Sequence, residues 1–274
     1  MKKILVPTDF SDHAHYALKV ASQIAKKNGG EIILLHMLEL PHQASDAIGS
    51  GHDLPEIMLF KNSAINKLED LMDDDCLEGL KVSEIIQFEL AFDGIINISK
   101  KNDIDLIVMG SHGASGFKEM FIGSNAEKVV RNSDVPVLII KKDAGAFNVD
   151  RFVFASDFTD EIKKPFAKVV EFANKFDAEL ELAMINTPSN FKPTHIAKEI
   201  MKKFVSNFAI NKYSINIYND VTVENGILNF SDHINADLIG VSTHGRKGIA
   251  HFFNGSISED LVNHALRPVV TFKI

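Results

Sequence analysis

The chain has 274 residues, 45% of them hydrophobic, which is long for one small core and natural for two domains of about 100–150 residues. A formal charge of −8, with no long basic run, disfavours nucleic acid and anionic membrane surfaces as partners. A single cysteine, Cys76, forms no intramolecular disulfide, and the opening run Ile4-Leu-Val6 is halted by Pro7 and Asp9, far short of a signal-peptide core, so the cytoplasm is the expected compartment.

The predicted elements begin with a short buried strand at Ile4–Val6. Ala14, Ala17, Leu18, Ala21, Ile24 and Ala25 then follow helical spacing, and Gly29-Gly30 stops that helix. A second strand is predicted over Ile32–Leu35 and a third over Ile85–Leu90. Between them, Pro41–His52 is small and polar, and Asp53-Leu-Pro-Glu56 reads as a helix cap before Ile57, Ala64, Ile65, Leu68, Leu71 and Met72 on one face. The loop serves either as a lid or as an ordinary connection. His42, Asp46, His52 and Asp53 match no metal spacing and read as solvent-exposed; no metal site is expected. A helix over Asp93–Lys101, a strand over Leu106–Met109, a helix over Ser124–Asn132 and a strand over Val135–Ile140 complete this half. The rest repeats it, with predicted strands at Phe152–Ala155, Leu180–Ile185, Tyr213–Tyr218, Leu238–Val241 and Pro268–Phe272. Alternating helices and continuously apolar strands imply parallel sheets covered on both faces.

The repetition extends to individual residues. At an offset of 148, Asp9-Phe10-Ser11-Asp12 lies over Asp157-Phe158-Thr159-Asp160, and at an offset of 132, Gly94, Asp105, His112, Glu127 and Pro136 lie over Gly226, Asp237, His244, Glu259 and Pro268. We therefore expect two homologous domains, 1–142 and 150–274, joined by Asp143–Val149, with the second shorter in its middle.

In the first half, the strand at Leu106–Met109 enters Gly110-Ser-His-Gly113, and a helix leaves at Gly123-Ser124. The second half has Ser242-Thr-His-Gly245 and Gly255-Ser256. Glycines permit positive φ and close backbone approach, and the N–H groups of a helix start suit an anion, so phosphate is the natural guest. Ser124-x-x-Glu127 and Ser256-x-x-Glu259 also match a capping box that needs no ligand. Asp9 could cap the following helix, His112 and His244 read as loop braces rather than catalysts, and His36 reads as a packed strand-end residue.

Together Val6-Pro-Thr-Asp-Phe-Ser11, Leu34-Leu-His-Met37 and Gly110-x2-Gly113-x9-Gly123-Ser124 resemble the universal stress proteins in their tandem two-domain form with the ATP-binding glycine motif. The resemblance implies an α/β fold of two tandem Rossmann-like domains, each a five-stranded parallel sheet of order 3-2-1-4-5 flanked by helices. Strands 1 and 4 then flank a crevice at their carboxyl ends, where the winding reverses.

By position the resemblance assigns Asp9 to the adenine, Met37 to the base, Gly110 and Gly113 to ribose and phosphates, and Gly123, Ser124 and Asn125 to the phosphate turn. The second-half equivalents are Asp157, Ile185, Ser242, Gly245, Gly255 and Ser256. Ser242 replaces the first glycine, and Arg246 and Lys247 replace Ala114 and Ser115, so the two sites are expected to be unequal.

The implied ligand is ATP or AMP, with magnesium an option alongside ATP. The implied role is a ligand-dependent regulatory module in a stress response, acting on a protein partner that the sequence does not identify. No paired carboxylates or triad-like order accompany the loop, so binding is favoured over efficient catalysis. A slow ATP hydrolase or autophosphorylating enzyme, and an interaction protein with vestigial pockets, are the alternatives. The last strand of each half is expected to pair with the other within the chain as an intramolecular pseudo-dimer, leaving homo-oligomers open.

Overall fold

The computed structural model describes residues 1–38, 55–113, 122–243 and 261–274. In the first half, β1 (Lys3–Pro7) leads to α1 (Asp12–Asn28) and β2 (Glu31–Met37); α2 (Pro55–Met72) precedes β3 (Lys81–Gln87), α3 (Ala91–Lys101), β4 (Leu106–Gly110), α4 (Ser124–Asn132) and β5 (Val137–Ile140). The second half runs β6 (Arg151–Ala155), α5 (Lys163–Phe176), β7 (Glu179–Asn186), α6 (Thr194–Val205), β8 (Tyr213–Asn219), α7 (Val223–His233), β9 (Leu238–Thr243) and β10 (Val269–Lys273). Among the described residues no helix is long and apolar enough to cross a membrane.

The central strands are apolar throughout because helices cover both faces. Ile4, Leu5, Val6, Leu106, Ile107 and Val108 are fully buried, as are Phe152, Phe154 and Leu238. β1 pairs in parallel with β2 and β4, and β6 pairs in parallel with β7 and β9 in the corresponding register. Asp105 and Asp237 explain part of the repeat. Each carboxylate accepts backbone N–H groups where the neighbouring strand begins, from Lys2 and Lys3 in one half and Asp150 and Arg151 in the other.

The strand order is β3-β2-β1-β4-β5-β10-β9-β6-β7-β8, so each half follows 3-2-1-4-5 and the ten strands form one mixed sheet. The expected pairing of last strands is present: β5 and β10 run antiparallel, with Val269, Val270 and Thr271 opposite Ile139, Leu138 and Val137. By compactness the chain divides into one unit of Met1–Lys118, Gly123–Val129 and Ile140–Ala146, and a second of Glu119–Ile122, Val130–Ile139 and Phe147–Ile274. β5 thus groups largely with the second unit.

Two local expectations change. The third strand starts at Lys81 and ends at Gln87, rather than spanning 85–90, because it is a sheet edge that tolerates the polar residues Lys81, Ser83 and Glu84. Leu90, 63% exposed, instead precedes α3. The linker is also anchored: Lys19 pairs with Asp143 at 3.0 Å, the Gln23 amide donates to the Gly145 carbonyl at 2.8 Å, and Phe147 is buried against Phe176.

The helix entries differ between halves. Ser11 caps α1 by accepting from the Ala14 N–H, whereas the second half inserts a 3₁₀ turn, Asp160–Ile162, before α5. The helices in this second half are packed through aromatic rings. Phe166 meets Phe154, Phe204 and Phe208 with centroids 4.8–5.5 Å apart, while the first half uses mainly Ala, Ile, Leu and Val.

Candidate functional site

The first unit contains a cleft of about 420 Å³ at the carboxyl ends of β1, β2 and β4. It brings together Asp9, Met37, Gly110, Gly113, Gly123, Ser124 and Asn125, all seven positions singled out in the first half. Ala14, Ala91, Ile95 and Met109 supply apolar wall that the motif spacing did not predict.

The β1 end is built by a strained turn. Phe10 has φ 64, an uncommon state for a side chain with a Cβ, and the Thr8 hydroxyl holds it by accepting the Phe10 N–H at 3.1 Å. Phe158 repeats this with φ 55, its N–H donating to the Ser156 hydroxyl at 3.1 Å. The aligned hydroxyls of Thr8 and Ser156 were the available sequence signal for this brace.

Turning the chain here presents Asp9 to the cleft. Its Oδ1 accepts the Ser11 N–H at 3.1 Å and the Ser11 hydroxyl at 2.6 Å, so Asp9 steadies the helix cap instead of being it. Its Oδ2 faces Gly113, where a Cβ would stand only 2.6 Å away.

The glycines work by close approach. Among glycines with positive φ, the described residues include Gly29, Gly79 and Gly145 but not Gly110, Gly113 or Gly123, so the left-handed explanation fails for the loop. Gly110 is required by the fold itself: a Cβ there would lie 2.7 Å from the His13 carbonyl carbon and oxygen, where α1 crosses β4. Gly113 leaves room for the Asp9 carboxylate.

Gly123 donates its N–H to the Ser111 carbonyl at 2.7 Å, and its own carbonyl accepts the Glu127 N–H at 3.0 Å. Gly123 is therefore the cap of α4 and Ser124 its first residue, which displaces the capping-box reading of Ser124 and Glu127 by one position. The N–H groups of Ser124, Asn125 and Ala126 precede the intrahelical ladder and line the cleft. That end can accept an anion, while the apolar wall can accept a flat ring.

The histidines are placed as braces. His36 Nδ1 lies 2.8 Å from the Thr8 carbonyl and its ring packs on Phe10, and His112 Nδ1 lies 2.8 Å from the Ser111 hydroxyl. His13 sits beside His112, with centroids 5.2 Å apart; burial first, and then the neighbouring His112, lower its pKa from 6.5. Burial pushes the Cys76 thiol up to about 11, away from thiolate chemistry. Among the described residues no three His, Cys, Asp or Glu side chains could hold a metal ion.

The corresponding place in the second unit holds only about 20 Å³, bounded by Ala155, Ser156, Asp157, Met184, Ile185, Asn190, Lys192 and Val223. Asp157 and Ile185 are brought together there. Ser242 is buried in β9, and its hydroxyl and that of Thr243 have no hydrogen-bond partner among the described residues. Gly245, Gly255 and Ser256 lie outside the described residues, as do His244, Arg246 and Lys247, and the 41–52 loop together with His42, Asp46, His52 and the adjacent Asp53.

Comparison with known proteins gives a consistent result. The model of the universal stress protein family matches residues 1–141 and again 148–273. A universal stress protein of Methanocaldococcus jannaschii is 34% identical over 154 residues, covering 52% of this chain and 95% of that relative. One from Synechocystis is 24% identical over the whole of both chains. The crystal structure of a universal stress protein from Archaeoglobus fulgidus superposes with a TM-score of 0.75 at 25% identity, covering 99% of this chain and 96% of that one.

Proposed function

The chain belongs to the universal stress protein family, and from that premise we propose that its first half binds an adenine nucleotide, ATP or AMP, as a regulatory ligand in a stress response. The observation that carries this reading is the 420 Å³ cleft, apolar at one end and facing a helix start at the other. We take 1–142 and 150–274 as the two domains and the cytoplasm as their compartment.

The residues present suit the ligand's chemistry. Met37, Ala91 and Ile95 offer apolar surface for a base, and the Asp9 carboxylate accepts hydrogen bonds only. It can take the exocyclic amine of adenine, whereas guanine presents a carbonyl at the matching position and would meet repulsion. The loop from Gly110 to Gly113 accommodates ribose, and the N–H groups of Ser124 and Asn125 would face phosphate. With ATP, magnesium would be carried largely by phosphate oxygens and water, as this ion keeps most of its water shell.

By sequence position the second-half counterparts are Asp157, Ile185, Ser242, Gly245, Gly255 and Ser256, and we infer that nucleotide binding there is weak or absent. The exposed Ser124 hydroxyl at the start of α4 supports a second reading, slow phosphoryl transfer onto the protein. Mass spectrometry of ligand released from purified protein should find an adenine nucleotide. Asp9→Ala should narrow the preference for ATP over GTP while retaining part of the phosphate affinity. A parent protein that binds neither nucleotide would reject the reading, and label from γ-labelled ATP appearing on Ser124 would favour the second one.

A further inference from the structure

In the second half, the described residues leave little space beside Asp157 and Ile185, the counterparts of Asp9 and Met37. β7 ends at Asn186, 3% exposed, whose Nδ2 donates to the Lys192 carbonyl at 3.0 Å while its Oδ1 accepts the Lys192 N–H at 3.1 Å. One side-chain amide thus satisfies both backbone groups of a residue six positions on. Within the turn, the Asn190 N–H donates to the Thr187 carbonyl at 3.0 Å, and Lys192 Nζ donates to Asn190 Oδ1 at 3.2 Å. Asn190 and Lys192 consequently line the residual space beside Asp157, Met184 and Ile185. At about 20 Å³ it has room for one water, far below the roughly 300 Å³ at which ligand clefts begin.

The strand-end architecture beneath this turn is otherwise shared. Gly226 seats Ile185 as Gly94 seats Met37: a Cβ on either glycine would meet the strand-end side chain at 2.4 Å and 2.1 Å respectively. Replacing Gly110 by Ser242 adds one hydroxyl at β9, remote from Asn190 and Lys192 in sequence, and Ser242 does not line the residual space. The turn, which brings Asn190 and Lys192 to the space that Asp157 also lines, is the larger difference.

We propose that residues 187–192 form a built-in plug, in which Asn190 and Lys192 fill the base position of the second half and Asn186 is the positioning residue that holds them there. This rests on the adenine-nucleotide reading for the identity of the excluded ligand, and the test separates the two. The full chain, an Asn190→Ala/Lys192→Ala variant that keeps the Asn186 clamp on the backbone, and Lys192→Ala alone are titrated with ATP by calorimetry, with circular dichroism as the folding control. The stoichiometry should rise from one in the parent to two in the double variant, and Lys192→Ala should open the second site more weakly. If the parent binds none and the double variant one, the plug stands and the first-half reading falls. Equal stoichiometry in parent and variants, whether none, one or two, overturns the plug.

Discussion

The two clefts start from nearly the same strand ends and arrive at opposite states. In both, a hydroxyl-braced turn places an aspartate at the end of the first strand, Asp9 after Thr8 and Asp157 after Ser156, and in both a glycine lets the end of the second strand pack on a helix. Beside Asp9 the described residues leave a cleft of about 420 Å³, and beside Asp157 a space of about 20 Å³. Repetition of a motif therefore preserves the scaffold more faithfully than the vacancy it frames, since a few side chains from one connecting turn suffice to remove the vacancy.

The largest expected effect comes from Gly113→Val. Its Cβ would collide with the Asp9 carboxylate, 2.6 Å away, and displace it from the cleft. We expect affinity for ATP to fall by about a hundredfold or more, the scale of losing a charge-assisted bond together with shape. Titration with ATP, with circular dichroism as control, checks this; parent-like binding by the folded variant would break the first-half assignment.

The same motif position is packed differently in the two halves. Gly110→Ser drives a Cβ into the backbone of His13 and should cost about 1–3 kcal/mol of stability with or without nucleotide. Ser242 already carries that Cβ, and its half begins its helix with a 3₁₀ turn. Urea unfolding of Gly110→Ser that matches the parent would show the crossing of α1 and β4 to be looser than described.

The buried hydroxyls of the second half give a smaller, favourable effect. Thr243→Val removes a buried hydroxyl that has no partner among the described residues while keeping its shape, so stability should rise by about 1 kcal/mol. A loss of similar size would mean that Thr243 is hydrogen-bonded in solution.

The smallest effect is in pH. His13 is held below its ordinary 6.5, so the unfolded chain takes up a proton before the folded one does. Its contribution is complete above that value and is lost as pH falls through the lowered folded value. The urea midpoint of the parent should therefore decline more than that of His13→Gln between about pH 7 and about pH 5. Parallel declines would remove His13 from the account.

Much of this was legible in the sequence because strand and loop residues recur in register. The central strands announced themselves as unbroken apolar runs, and the seven first-half positions converge on one cleft. The edge strand β3 was misplaced because polar Lys81, Ser83 and Glu84 give it no apolar run. Of the two reasons for the glycines, positive φ fails, and spacing says nothing of the neighbours they approach, the His13 backbone and the Asp9 carboxylate, which are distant in sequence. Asn186, Asn190 and Lys192 escaped notice because they fall where the two halves do not align, so the repeat carried no signal there.

The central claim is that an adenine base lodges in the first half and is kept out of the second. Photocrosslinking of the native chain with an azido-adenine analogue of ATP, followed by peptide mapping, tests it most directly. The account predicts label on first-half peptides around Asp9, Met37 or Ala91, suppressed by excess ATP and lost in Gly113→Val. ATP-suppressible label around Asp157, Ile185 or Lys192 in the parent chain would contradict it.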